Sequence, residues 1–125
     1  MVKSIVYILV TAAIILTFSF LEQTTLNKNF GELSKEISII KEKADDESLS
    51  ANDVTAFQNK WIKAKEVLHV YIPHNEIKEL DLWISECLYY AKDKDFTEVK
   101  AKAEVIAELF EQIPKTFSVA IENLL

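Results

Sequence analysis

Arginine is absent from this chain, glycine and cysteine occur once each, and proline occurs twice in 125 residues. Each shortage excludes something. Without Arg there are no bidentate forks for phosphate or carboxylate recognition, and all 14 cationic side chains are lysines. One Gly rules out a Gly-rich phosphate loop and, with so few Pro, leaves almost no turn chemistry for hairpins. A lone Cys87 cannot close an internal disulfide, and its place on an apolar helical stripe assigns it to packing. Ala, Leu, Lys and Glu abound in place of turn formers, so the composition is all-helical.

Ser4 to Leu21 is an eighteen-residue run with no charge, Gly or Pro, closed by Glu22. A helix of that length is close to the ~20 residues that cross a hydrocarbon core, so the run reads as a transmembrane anchor whose partner is the lipid bilayer. A cleaved signal peptide is the rival reading. It is disfavoured by the length of the run and by its ending, Phe18-Ser19-Phe20-Leu21, which offers only Thr17 and Ser19 as a poor cleavage pair. The short basic head (Lys3) and long folded tail favour a signal-anchor with the C-terminal domain outside the cytoplasm.

The chain divides into the anchor, residues 1–21, and one domain, residues 22–125, too short for two cores. The domain carries 13 lysines against all 20 acidic residues, a formal charge of −7, which makes nucleic acid and anionic headgroups poor partners. The helix begun in the anchor is expected to continue, because Leu26, Phe30, Leu33, Ile37, Ile40 and Ala44 alternate at steps of four and three. A polar loop at Asp45–Asn52 ends it, and Ser50 with Asp53 resembles a capping box. A second stripe, Val54, Phe57, Trp61, Ala64, Leu68 and Tyr71, predicts a helix running to Ile72, followed by a tight turn at Pro73-His74-Asn75. A kinked continuous helix is the alternative.

Ile77, Leu80, Ile84, Cys87, Leu88 and Ala91 form the third stripe, with Trp83 and Tyr90 widening it. Asp95 and Glu98 suggest a capping box for a last helix. Its stripe is Val99, Ala103, Ile106, Phe110, Ile113, Phe117, Ala120 and Leu124, with a bend expected near Pro114. Matched lengths and short links imply an N-terminal transmembrane helix continuing into an antiparallel, up-down four-helix bundle. Phe30, Phe57, Trp61, Phe110 and Phe117 all fall on the seams and are assigned to the core.

Chemistry finds little purchase. Glu66 and His69 form an E-x-x-H pair, the spacing of di-iron bundles, but the only other histidine, His74, has Tyr71 three residues before it, so half the ligands are missing. Neighbouring carboxylates such as Asp93 with Asp95, or Glu76 with Glu79, sit at turns or exposed faces and read as solvated charge. No enzymatic activity, metal or cofactor is expected.

Trp61, the run Ile72-Pro73-His74-Asn75-Glu76-Ile77, Leu80 and the ending Glu122-Asn123-Leu124-Leu125 resemble domain-of-unknown-function family 4363, short bacterial proteins with one membrane anchor. The resemblance implies a membrane protein of spore-forming Gram-positive type with no assigned activity. It also implies a multi-pass membrane protein as a partner, since some such proteins are encoded beside one. In an up-down bundle the Pro73 turn and the C-terminus return to the membrane-proximal end. Pro73, His74, Asn75, Glu76, Asn123, Leu124 and Leu125 are therefore the candidate contact surface. The expected role is an accessory or interaction module for another membrane or envelope protein, and the alternative is an extracytoplasmic bundle that senses a small molecule or ion. In the bland version of the geometry, His74 caps the third helix and Leu124 and Leu125 close the core.

Overall fold

The computed structural model describes the backbone of residues 2–124 and the side chains of residues 2–116. Four helices account for the chain: α1, Val2–Asp45; α2, Ala51–Leu68; α3, His74–Lys92; and α4, Phe96–Leu124. Each packs on its chain neighbours, and α4 closes the ring against α1, which is the antiparallel up-down bundle expected from the stripes.

The continuous α1, 44 residues and about 66 Å long, follows from the absence of any breaker other than Gly31, which helix geometry tolerates. Its two halves differ in surroundings rather than backbone. Leu26, Phe30, Leu33, Ile37, Ile40 and Ala44 are all buried, whereas Val2–Phe18 is exposed throughout. The core continues through Val54, Phe57, Trp61 and Leu68 of α2, through Ile77, Leu80, Ile84, Cys87 and Ala91 of α3, and through Val99, Ala103, Ile106, Phe110 and Ile113 of α4. Ala64, Tyr71 and Leu88 are only partly covered. The seam positions Phe117, Ala120 and Leu124 have side chains outside the described residues. At the centre Phe110 meets three rings, Phe30 at 5.8 Å, Phe57 at 6.1 Å and Trp61 at 6.2 Å between centroids. One side chain of α4 thus reaches α1 beside it and α2 across the bundle.

Two helix ends depend on backbone bonds invisible to residue type. After α1, Glu47 takes φ 58°, with Glu47 N–H donating to Ala44 O at 3.2 Å and Ser48 N–H to Lys43 O at 2.9 Å. After α3, Lys94 takes φ 55°, with Lys94 N–H donating to Ala91 O at 3.2 Å and Asp95 N–H to Tyr90 O at 3.0 Å. Both are Schellman endings, which usually place Gly at the left-handed position. The Ser50–Asp53 capping box at the start of α2 forms in full. Its counterpart at α4 forms by half: Glu98 N–H donates to Asp95 Oδ1 at 3.3 Å, but Asp95's own amide is already committed to Tyr90.

Two boundaries differ from expectation. α2 stops at Leu68 rather than Ile72, and the turn occupies residues 69–73 while His74 and Asn75 already belong to α3. Ile72, 4% exposed, is still buried beyond the helix end. α4 runs unbroken through Pro114, which is itself buried.

Candidate functional site

The end of the bundle where the apolar run of α1 enters is assembled by register. Lys43–Asp53 at 3.3 Å and Lys60–Glu36 at 2.8 Å tie α1 to α2, and carrying that antiparallel spacing to the end of α2 sets Leu68 level with Lys28, seven residues past the apolar run. The ion pair Lys41–Glu104 and that of Lys100 with Asp45 at 3.4 Å tie α1 to α4, and the same spacing sets Leu124 level with Leu21. The Phe30–Phe110 contact carries α4 further, with Leu124 level with Leu16. The α2–α3 turn and the end of the α4 backbone therefore come to the end of the bundle where the apolar run meets it.

Local chemistry explains the turn. His69 N–H donates to Lys65 O at 2.9 Å, Tyr71 N–H to Leu68 O at 2.9 Å and Ile72 N–H to Leu68 O at 3.0 Å, so the last carbonyls of α2 are occupied before Pro73, which has no N–H to offer. Pro73 O then accepts from Glu76 N–H at 3.1 Å and starts α3. Pro73 is the N-cap, without a side-chain cap bond, so His74 does not cap α3 and is its first residue. Pro73, His74 and Asn75 are exposed and Glu76 is half-buried. The side chains of Asn123 and Leu124, and Leu125 altogether, lie outside the described residues.

The E-x-x-H pair stays on the surface. Glu66 and His69 are both exposed, and His69 Nδ1 lies 3.2 Å from Lys65 O of its own helix. Among the described residues no three His, Cys, Asp or Glu side chains gather in a way that could hold a metal. Burial pushes the Cys87 thiol up to about 11. In contrast, Asp53 is held below the usual carboxylate value chiefly by the Ser50 N–H it accepts, with Lys43 assisting.

Two polar clusters were missed in the sequence. Asp81 accepts from the Trp61 indole at 2.7 Å and from Lys65 at 3.2 Å, which pins α3 to α2. Lys102 of α4 sits over the rings of Trp83 (5.1 Å) and Tyr90 (5.7 Å), with Glu86 at 3.7 Å and Glu98 at 4.0 Å. The spacing of Trp83, Glu86 and Tyr90, which puts them on one face of α3, was the available signal. An open cleft of about 430 Å³ between α1 and α2 is lined by Asn29, Glu32, Glu36, Lys60 and Lys63 above Leu33 and Ala64.

Compared with known proteins, residues 20–124 match the family model described as "Domain of unknown function (DUF4363)", which spans the bundle and begins at the end of the apolar run. No curated protein and no solved structure gives a match.

Proposed function

We propose that this chain, which belongs to the DUF4363 family, is a membrane-anchored helical module that holds another membrane or envelope protein. One observation carries the reading. A single unbroken helix carries an 18-residue stretch of mean hydropathy 2.4 in which no residue is buried, and an inner half that is one wall of a dense bundle. A span with no role in this protein's own core suits a bilayer. Its hydroxyls suit one too: Thr11 and Thr17 donate to Tyr7 O and Ala13 O at 2.8 Å, so neither presents an unpaired donor to hydrocarbon. The rigid connection fixes the bundle's height and orientation above the membrane, as a scaffold requires. The proposed contact surface is the membrane-proximal end, comprising the turn residues Pro73, His74, Asn75 and Glu76 together with the C-terminal sequence Asn123-Leu124-Leu125, whose side chains lie outside the described residues.

A tag placed in the distal loop at Ser48, followed by mild crosslinking and capture from detergent-solubilised membranes, is expected to recover a multi-pass membrane protein in stoichiometric amount. His74→Ala combined with loss of Leu124 and Leu125 should abolish that recovery while the bundle stays folded. Capture of the chain alone, or capture insensitive to these changes, overturns the reading. The α1–α2 cleft favours a second one, ligand sensing. A panel of metabolites and ions at about a hundred times Kd would then raise stability by about 2.7 kcal/mol, and a flat panel retires it.

A further inference from the structure

The register that brings α4 back toward the membrane does not stop at its edge. Its backbone stays helical to Leu124, and the two independent ties to α1 put that residue level with Leu21 or, by the ring contact, with Leu16. The difference of five residues is about 7 Å along a helix, comparable to the headgroup layer on one side of a bilayer. Burial along α1 agrees. Ser19 is the one described residue of 2–21 that is not exposed, and it lies one heptad before Leu26 on the same seam. The last six residues, Ala120-Ile121-Glu122-Asn123-Leu124-Leu125, contain a single charged side chain.

If α1 spans the bilayer as proposed above, the end of α4 cannot remain in bulk water. We infer that the described C-terminal turns of α4, level with Leu21 to Leu16, are seated in the lipid headgroup layer beside α1 and make a second bilayer contact. The bundle is then held at two points.

A depth measurement on the full chain tests this. Cys87 is buried, with its thiol pushed up to about 11, so it can stay in place while a cysteine introduced elsewhere takes an NBD fluorophore. Four variants, Ile15→Cys, Ser48→Cys, Asn123→Cys and Leu124→Cys, are reconstituted in phosphatidylcholine nanodiscs containing doxyl-labelled lipid, with helicity checked by circular dichroism. Quenching at Leu124 or Asn123 is expected to reach at least half of that at Ile15, with little at Ser48. Should Ile15 be quenched while both C-terminal positions behave like Ser48, the interfacial seat is wrong. If Ile15 itself escapes quenching, the anchor reading falls and takes this inference with it.

Discussion

Replacing Phe110 by Ala should cost the bundle more than truncating any other buried ring among the described residues, because among them this side chain alone meets three other rings, on two helices. Phe110 is 1% exposed and meets Phe30, Phe57 and Trp61 within 6.2 Å. Truncating a buried Phe to Ala ordinarily costs about 3–5 kcal/mol, the lost transfer energy plus the cavity. Three ring pairs at about 0.5–1.5 kcal/mol each push the value toward the top of that range, and the better helix propensity of Ala returns about 0.5. A net loss of about 4 kcal/mol is therefore expected. At a urea slope of about 2 kcal/mol/M it lowers the unfolding midpoint by about 2 M. The measurement is urea unfolding of the full chain in nanodiscs, followed by tryptophan fluorescence, since Trp61 lies against the new cavity. Leu82→Ala, at a side chain 58% exposed on α3, is the comparison and should cost under about 1 kcal/mol. A Phe110→Ala midpoint no lower than that of Leu82→Ala would refute the picture of Phe110 as the common packing point.

Four further outcomes can be checked by the same urea unfolding. Gly31 is exposed within α1, and a methyl group there would meet nothing within 4 Å, so Gly31→Ala should stabilise the bundle by about 1 kcal/mol. Glu47→Gly and Lys94→Gly relieve left-handed residues that cost about 1–2 kcal/mol. Part of the gain is offset by a freer unfolded chain, so each should add about 0.5–1 kcal/mol, and a loss at either position would contradict the Schellman assignment. At the start of α2, Ser50→Ala should cost about 1 kcal/mol. The Asp53 carboxylate in the same box has a lowered folded pKa, so its stabilisation is complete above the ordinary value of 3.8 and is lost as pH falls through the folded value. Stability measured from pH 5 to 2 should therefore fall less steeply in Asp53→Asn.

Much of the architecture was legible because an antiparallel bundle is read from periodicity. The six α1 seam residues from Leu26 to Ala44, spaced by four and three, are the six that become buried, since a face of a 3.6-residue helix has nowhere else to put them. Ser50 and Asp53 were equally plain, a local motif three residues apart. The candidate contact surface was half legible. The odd count of helix reversals puts the Pro73 turn at the end of the bundle where the apolar run enters, but only the ion pairs give the register, with the end of α2 level with Lys28.

Sequence alone thus determined what depends on neighbours three and four residues apart: four helices, their buried stripes, the apolar span and the rigid passage from one into the other. Tertiary structure decided what depends on which helix lies opposite. α2 ends at Leu68, four residues short of Ile72, and Ile72 is buried all the same, an end point that no residue type before Pro73 marks. Glu47 and Lys94 turn left-handed because the carbonyls of Lys43 and Tyr90 need donors where the chain must reverse, although neither residue type favours that conformation. Lys102 settles between Trp83 and Tyr90 because α4 lies against α3. The depth to which α4 descends beside α1 follows from contacts some 60 to 80 residues apart in the chain, Lys41 with Glu104 and Phe30 with Phe110, which no local pattern encodes.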